Sequence, residues 1–189
     1  MDIVAEFLLQ RTRAGQVETV FLECRERYPT AEVLVDAGPS AAAALTDRLG
    51  LHRRGPMLAE VAETLVREGV PRTMSDLLKL PGVGMYTAGA WLSLHRGKRA
   101  VIIDANVARW LSRMTGMPYN RDPRHVHWVQ TLAERLTPRR VFRDYNYAVL
   151  DFTMETCKPK IPSCHLCPLA SDCLFARSKT EINANGISP

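Results

Sequence analysis

Four cysteines near the C-terminal end of the chain have the composition and spacing of a metal-binding array. They lie within seventeen residues in the pattern C-x6-C-x2-C-x5-C: Cys157, Cys164, Cys167 and Cys173. Four soft thiolates suit either a tetrahedral zinc ion or an iron–sulfur cluster. Zinc ribbons usually carry two C-x2-C pairs, whereas this array contains one, so its wider loops favour a cluster. Disulfide bonds are not expected, because the protein is expected to be cytoplasmic.

A second stretch with chemical potential is the two-glycine turn LPGVG, which ends at Gly84 and is followed by small residues. The first turn of the next helix presents free backbone N–H groups and a partial positive charge, which suit a phosphate. Gly82 and Gly84 lack a Cβ, so another backbone can approach them closely. Leu78, Leu80 and Val83 are expected to pack beneath the turn. The motif indicates either a sequence-neutral grip on a nucleic-acid backbone or an ordinary turn between two helices.

A third candidate is Asp104, which lies between the apolar run AVII and the helical pattern ANVARW. An aspartate at such a position is a good helix N-cap, because its carboxylate accepts hydrogen bonds from the first turn. The local residues alone favour this structural role.

The composition limits the class of protein that can present these residues. The chain has 189 residues, 46% of them apolar, a formal net charge of +5 and a pI of about 9.1. This is enough for a folded domain or two small lobes, and the basic charge is compatible with a polyanionic partner. No run is long and apolar enough to span a membrane, and no basic stretch precedes the first apolar residues. We therefore expect a cytoplasmic protein, associated with the nucleoid if prokaryotic, and no membrane partner.

The elements that position the candidate residues are predicted to be helices. Helical spacing of apolar residues continues through almost the whole chain, and no alternating pattern exceeds four residues, so an all-α fold is predicted. Helices are expected at about 1–12, 15–28, 56–68, 85–95, 105–115 and 141–155. Ser40, Thr73 and Ser75 are candidate N-caps, and Asp122 is expected to open a further helix. Cys24 is expected in the core, and the last dozen residues are expected to form a loose tail.

Together these residues resemble a known family. The stretch LPGVGMYTAGAWLSLHRGKRAVIIDANVARWLSR, followed by the cysteine array, is similar to the helix-hairpin-helix DNA glycosylases of the endonuclease III superfamily. The similarity extends from about Glu6 to Cys173. It implies a [4Fe-4S] cluster on the four cysteines, and a monovalent cation at the hairpin is a further candidate ligand. It also implies a monomer that binds double-stranded DNA and flips a damaged or mispaired nucleotide into a pocket between two lobes.

The resemblance further implies how the chain is divided. An endonuclease III-like fold would place a helical barrel lobe at residues 1–99, with the helix-hairpin-helix at about 73–95. The iron–sulfur cluster lobe would occupy residues 100–176, and a C-terminal tail would follow at 177–189. Relatives usually have a further helix upstream that joins the cluster lobe, whereas this sequence begins a few residues before Glu6. We therefore expect the stability of the cluster lobe to differ from that of other members of the family.

Three residues carry the chemistry that the resemblance implies. Asp104 matches the catalytic aspartate of the family, which stabilises the sugar cation and orients or deprotonates water. Tyr86 stands where the strand-cutting members carry a lysine that forms a Schiff base. Since a phenol cannot form one, we predict a monofunctional glycosylase. Tyr86 could also stack on the flipped base. Glu6 stands at the position of the MutY-type acid that protonates adenine, with a surface glutamate as the alternative.

The preferred base follows from the branch of the family that the chain resembles most. The tyrosine at position 86, LLQRTRAG at 8–15 and RDYNYAVLDF at 143–152 look most like the thymine-mismatch branch. MutY-type enzymes commonly have serine at position 86 and a further C-terminal domain, whereas this chain ends soon after the cysteines. The implied function is removal of thymine or uracil opposite guanine in base excision repair. The alternatives are an adenine glycosylase that acts on A·G or A·8-oxoguanine, and a non-catalytic iron–sulfur DNA-binding module.

Further DNA contacts are implied for three loops, with plain surface loops as the alternative. In LGLHRRG at 49–55, Leu51 holds the position of the residue that wedges into the base stack. Arg53 and Arg54 beside it could grip phosphates or the orphaned guanine. Arg11 and Thr12 resemble a loop that probes the opposite strand. The hairpin turn completes the predicted DNA-binding set with Pro81, Gly82, Val83 and Gly84. Four histidines are interpreted as structural or surface residues: His95, His125, His127 and His165.

Overall fold

The computed structural model describes residues 2–9, 12, 14–119 and 126–184. These residues form helices and turns and contain no strand, so the all-α prediction is confirmed. The chain divides into two compact units, Met1–Lys98 and Arg99–Pro189. The division lies one residue before the predicted boundary, and the identification of the units as a barrel lobe and a cluster lobe stays a prediction. No helix in the described part is long and apolar enough to cross a membrane.

The first unit contains seven of the α-helices in the described part of the chain. They are α1 (Asp2–Leu8), α2 (Ala14–Arg27), α3 (Ala31–Asp36), α4 (Pro39–Asp47), α5 (Gly55–Glu68), α6 (Met74–Leu77) and α7 (Met85–Ala90). A 3-10 turn, His52–Arg54, precedes α5, and a π turn, Trp91–His95, continues α7. Helices α3 and α4 pack on α5, while α1 packs on α2, α7 and the π turn. The largest fully buried side chains of this unit are Phe7, Leu8, Leu58, Val61 and Leu77.

The second unit is built around one amphipathic helix. Its helices are α8 (Ala105–Thr115), α9 (His127–Leu136), α10 (Phe142–Glu155) and α11 (Leu174–Ala184). Val107, Trp110 and Leu111 lie on one face of α8 at helical spacing and are buried. This spacing explains why α9, α10 and α11 all pack against α8.

Several predicted details of the elements need correction. Helix α4 begins at Pro39 after Gly38, so Ser40 is not its N-cap; proline suits the first helical position because it has no N–H to satisfy. Thr73 is the cap of α6, where its Oγ1 accepts from the backbone N of Asp76 at 3.2 Å. Helix α1 ends at Leu8, earlier than expected. Asp122 lies outside the described residues.

The predicted loose tail is partly helical. Helix α11 continues to Ala184, well into the segment expected to be irregular. Two contacts explain why its first half is ordered: Ala176 is buried, and the guanidinium of Arg113 lies 4.8 Å from the ring centroid of Phe175. Apolar burial and the cation–π contact together favour a packed helix over a free tail.

Candidate functional site

Helices α6 and α7 form the helical hairpin that the glycine turn predicted. The backbone N of Val83 donates to the carbonyl of Leu80 at 3.1 Å, which closes the turn. Leu80 and Val83 are buried beneath it, as expected. Leu78 is not: it is 41% exposed, and Leu77 is fully buried instead. Leu77 ends α6 on its buried side, whereas Leu78 is the C-cap of the helix and lies on the exposed side. The predicted cation at this hairpin stays a prediction.

The two glycines of the hairpin serve different structural purposes. Gly82 has a φ of +73°, and a Cβ there would lie 2.9 Å from the Phe7 ring and 3.2 Å from the Met57 sulfur. Gly84 has extended backbone dihedrals and nothing within 4 Å of a Cβ position. Glycine is therefore required at position 82 by the local backbone and by the packing of α1. The prediction that both glycines leave room for another backbone is not tested by these contacts.

Replacing Gly82 with alanine is expected to lower the free energy of unfolding by about 1–3 kcal/mol, because alanine is strained at positive φ and would meet Phe7. Gly84→Ala is the matched control, and we expect it to change stability by no more than about 0.5 kcal/mol. Urea denaturation of both variants measures the difference. Equal stability of the two variants would contradict the role assigned to Gly82.

Tyr86 lies in the first turn of α7 and is half-buried. The four residues that follow it are all buried: Thr87, Ala88, Gly89 and Ala90. Tyr86 is the first aromatic side chain after the turn, and it keeps accessible surface while the small residues that follow it are packed inside. This exposure is compatible with the predicted contact to a flipped base.

Glu6 is not a surface glutamate. It lies on the inner side of α1, is 4% exposed, and its Oε1 is 2.8 Å from Nε2 of His95. Burial raises the pKa of Glu6 above its ordinary value, while the hydrogen bond and the charge of His95 lower it; burial has the larger effect. The Glu6 carboxyl group therefore keeps its proton to a higher pH than an exposed glutamate would.

The sequence did not identify His95 as the partner of Glu6. The two residues are 89 positions apart, and His95 is the last residue of the π turn that continues α7. Its ring also stacks on Trp91, with the ring centroids 5.5 Å apart. Apolar periodicity does not distinguish a π turn from an α-helix, so no pattern in the sequence placed this ring beside the carboxyl group.

The predicted DNA-contacting loop before α5 is divided between exposed and packed side chains. Leu51 is half-buried and precedes the 3-10 turn, and Arg53 in that turn is exposed. Arg54 instead points inward, since its Nη1 donates to the Phe7 carbonyl at 3.2 Å and its guanidinium lies 5.8 Å from the Phe7 ring centroid. Arg54 therefore ties this loop to α1. Thr12 is half-buried, and Arg11 lies outside the described residues.

In the second unit, Asp104 is the N-cap of α8, as its position predicted. Its Oδ1 accepts from the backbone N of Asn106 at 2.9 Å and of Val107 at 2.8 Å. Its Oδ2 accepts from the side-chain amide of Asn106 at 2.7 Å. Three donors thus hold a half-buried carboxylate in one orientation. The cap is a scaffold for the carboxylate, and it leaves the group accessible for chemistry.

A chain of hydrogen bonds continues from Asp104 into the cysteine region. Nη1 of Arg109 donates to Oδ1 of Asn106 at 2.8 Å, which fixes the amide that holds Asp104. Nη2 of Arg109 donates to the carbonyl of Cys157 at 2.9 Å and to that of Thr153 at 2.8 Å. The spacing of Asn106 and Arg109 along α8 brings both side chains to one face of the helix. The orientation of Asp104 therefore depends on the backbone at the first cysteine of the array.

The four cysteines of the array line one small, partly open cavity in the second unit. They are Cys157, Cys164, Cys167 and Cys173. Trp110 lines the same cavity, and its Nε1 is buried with no hydrogen-bond partner in the described part of the chain. Among the described residues, no three His, Cys, Asp or Glu side chains are grouped closely enough to hold a single metal ion. Four thiol donors suit either a zinc ion or an iron–sulfur cluster.

Arg113 fixes the cysteine region from the side of α8. Its Nη1 is 3.4 Å from the Cys157 sulfur, and its backbone carbonyl is 3.4 Å from the sulfur of Cys173. The same guanidinium donates to the carbonyls of Lys158 and Pro159, each at 2.7 Å. Arg113 therefore holds the backbone at residues 158 and 159 and contacts two of the four cysteine sulfurs.

The comparisons with known proteins agree with this geometry. Residues 4–137 match the HhH-GPD superfamily of base excision DNA repair proteins. The chain belongs to that superfamily. A thymine/uracil-DNA glycosylase of Pyrobaculum aerophilum is 34% identical over 188 residues, which cover 95% of this chain and 82% of that protein. The adenine DNA glycosylase of Homo sapiens is 34% identical over 185 residues, which cover 94% of this chain but 33% of the human protein.

The solved structures confirm the fold of this HhH-GPD protein. A thermostable thymine-DNA glycosylase superposes with a TM-score of 0.86 at 32% identity, covering 93% of this chain and 83% of that one. The fold is the endonuclease III-like fold, as the resemblance implied. The family assignment from the hairpin and the cysteine array is confirmed as well. The individual roles of the site residues remain predictions.

Proposed function

We propose that this HhH-GPD protein is a monofunctional DNA glycosylase that removes thymine or uracil opposite guanine from double-stranded DNA. The observation that carries the proposal is the carboxylate of Asp104, which three hydrogen bonds hold in place at the start of α8. The position of Asp104 resembles that of the family's catalytic aspartate, and this match, added to the cap, favours catalysis over a non-catalytic DNA-binding module. The similarity to thymine/uracil-DNA glycosylases over most of both chains supports the choice of base.

Each reacting group has one task in the proposed reaction. The glycosidic bond breaks, and its electron pair leaves with the base, which receives the proton of the Glu6 carboxyl group. The Asp104 carboxylate stabilises the positive charge left on the sugar. Water then adds to the anomeric carbon, and its proton passes to Asp104. Tyr86 would contact the flipped base, and the hairpin turn would bind the phosphate backbone through its N–H groups.

We also propose that the cysteine array binds a [4Fe-4S] cluster. The donor set is entirely thiol, the four residues share one cavity, and the buried Trp110 N–H offers a donor to a sulfur-rich group. When bound, such a cluster would join residues 157–173 into one cross-linked unit. The chain's own contribution is the Arg109 and Arg113 network, which connects this unit to the start of α8.

A panel of duplexes tests the proposed function. Each duplex carries one T·G, U·G, A·G or A·8-oxoguanine pair, and release of the base is scored as alkali-labile strand cleavage. We expect cleavage at T·G and U·G and no cleavage without alkali. Predominant cleavage at A·8-oxoguanine would instead support an adenine glycosylase, which the 34% identity to the human enzyme makes the second candidate. Binding without cleavage of any duplex would support the non-catalytic module.

Tyr86→Lys is expected to gain strand-cleaving activity. A lysine amine at this position can attack the sugar and form a Schiff base, which a phenol cannot do. Borohydride reduction should then trap a covalent protein–DNA adduct that the native protein does not form. Tyr86→Arg is the matched control, because it adds the same charge without a nucleophilic amine. If Tyr86→Lys and Tyr86→Arg trap equally little DNA, the position assigned to Tyr86 is wrong.

A further inference from the structure

We propose that His95 is the proton relay for Glu6: it holds Glu6 in its donating orientation and returns a proton to it after each turnover. This inference rests on the proposed function, in which Glu6 protonates the leaving base. It extends that function by assigning a positioning residue that neither the motifs nor the relatives identify. His95 itself need not contact the substrate.

The geometry of the pair carries the inference. Nε2 of His95 lies 2.8 Å from Oε1 of Glu6, which is a normal distance for a hydrogen bond that can transfer a proton. The side chain of Glu6 is 6% exposed, whereas that of His95 is 25% exposed. A buried acid exchanges its proton with solvent faster through a hydrogen-bonded neighbour than by itself, and His95 is such a neighbour with access to solvent.

The π turn explains how the relay is positioned. Residues Trp91–His95 widen the helix after α7, and α1 packs against this turn. The stack on Trp91 limits rotation of the imidazole, so Nε2 stays directed at Glu6. A π turn inside a helix costs stability and is often found at functional sites. Here it places the one titratable ring of the turn against the buried carboxyl group.

Other charged groups surround the pair on the elements packed against it. Arg54 stacks on Phe7, the residue after Glu6 in α1, and Arg96 stacks on Trp91 in the π turn. On α2, Cys24 is fully buried, and burial raises the pKa of its thiol to about 11, so it is neutral. The two arginines keep their charge throughout the working pH range, and His95 is the group beside Glu6 that can gain and lose a proton.

The proton balance of the relay is simple. After the base has left with its proton, Glu6 is a carboxylate. The Nε2 proton of a neutral His95 transfers to Oε1 of Glu6 while Nδ1 takes a proton from a hydronium ion of the solvent, so the imidazole stays neutral with its proton on Nδ1. Exchange of the ring proton with solvent then restores the Nε2–H form, and one proton has passed from solvent to Glu6.

The variant His95→Gln tests the relay, because glutamine keeps a hydrogen-bond donor but does not titrate. Multiple-turnover release of thymine is measured as a function of pH for the native protein, His95→Gln, Glu6→Gln and the double variant. We expect His95→Gln to be about tenfold slower above neutral pH and to approach the native rate at low pH, where Glu6 takes its proton directly from solvent. In the Glu6→Gln background, His95→Gln should have no further effect.

Two results would overturn the relay. One is a defect of His95→Gln that is constant across pH, since that is the signature of a structural role alone. The other is an equal defect with and without Glu6, which would place the action of His95 elsewhere. His127→Gln, an exposed histidine in the second unit, is the matched control and should match the native rate. Thermal melting of each variant checks that the fold is retained.

A readout without DNA separates the relay from the proposed function. The 13C resonance of the Glu6 carboxyl group, assigned by its loss in Glu6→Gln, is followed through a pH titration. We expect a coupled two-step curve in the native protein and a single step in His95→Gln. An unchanged curve would overturn the relay whether or not the enzyme acts on T·G. Conversely, coupled titration in a protein that releases no base would sustain the pair and reject the proposed function.

Discussion

Asp104→Asn is expected to reduce base release at least about a hundredfold while the protein stays folded and binds DNA. Asparagine is as good an N-cap as aspartate, so α8 should keep its start. The negative charge that would stabilise the sugar cation is lost, and an amide does not accept the proton of the attacking water. Single-turnover kinetics on a T·G duplex, together with DNA affinity by fluorescence anisotropy, measure the two quantities separately.

A second variant, Asp104→Ser, is needed because asparagine at position 104 would conflict with the hydrogen bonds of Asn106. Oδ2 of Asp104 accepts from the amide of Asn106, and Oδ1 of Asn106 is already committed to Arg109. In Asp104→Asn, two amide N–H groups would therefore face each other. Asp104→Ser avoids this conflict, because its hydroxyl caps the helix without opposing Asn106. We expect both variants to lose activity alike.

Asn106→Ala is the matched control, since it keeps the carboxylate and removes only one of its three donors. A hydrogen bond to a charged group contributes about 1.5–3 kcal/mol, so we expect a loss of activity smaller than that of Asp104→Asn. Near-normal turnover of both Asp104 variants would defeat the proposed mechanism. If Asn106→Ala slows base release more than Asp104→Ser does, the Asn106 amide and not the Asp104 carboxylate is the group required for the reaction.

Cys157→Ser is expected to abolish iron binding and to destabilise the second unit by about 4 kcal/mol or more. A serine hydroxyl has nearly the same size as a thiol but is a poor ligand for iron, so the array would lose one of its four thiolates. Residues 157–173 would then lack their cross-link, and metal binding in such sites is coupled to folding. The measurements are iron content, the charge-transfer absorption of the purified protein and thermal melting.

Cys24→Ala provides the matched control for the loss of a thiol. Cys24 lies in the first unit, is fully buried and does not line the cavity of the array. Its replacement should cost on the order of 1 kcal/mol through lost packing and leave the iron content unchanged. A colourless native protein that holds one zinc ion would reject the proposed cluster. Full iron content in Cys157→Ser would show that Cys157 is not a ligand.

The cluster variant also has a predicted effect on catalysis through Arg109. This side chain donates to the carbonyl of Cys157 and to Asn106, so disorder at the array would release the amide that holds Asp104. We expect Cys157→Ser to lose base release even when protein remains folded. We expect Asp104→Asn to keep the iron content, because Arg109 and Arg113 still contact the array in that variant.

Residues adjacent in the chain were predictable, because their chemistry depends on local spacing. The hairpin turn, the cap at Asp104 and the array of cysteines are all determined within a few residues, and each was found where the pattern indicated. Predictions failed where the choice depended on packing. Leu78 and Leu77 are both apolar and consecutive, and only the position of α6 on its neighbours decides which is buried.

The sequence by itself determined the all-helical class, the family and the residues available for chemistry, since periodicity, capping and ligand spacing are short-range properties. Tertiary structure alone decided the environment of those residues. It buried Glu6 and gave it His95 as a partner across 89 positions, and it linked Arg54 to the Phe7 carbonyl in α1. The physical reason is that desolvation and long-range hydrogen bonds arise only once distant segments pack together, and no local pattern records which segments will meet.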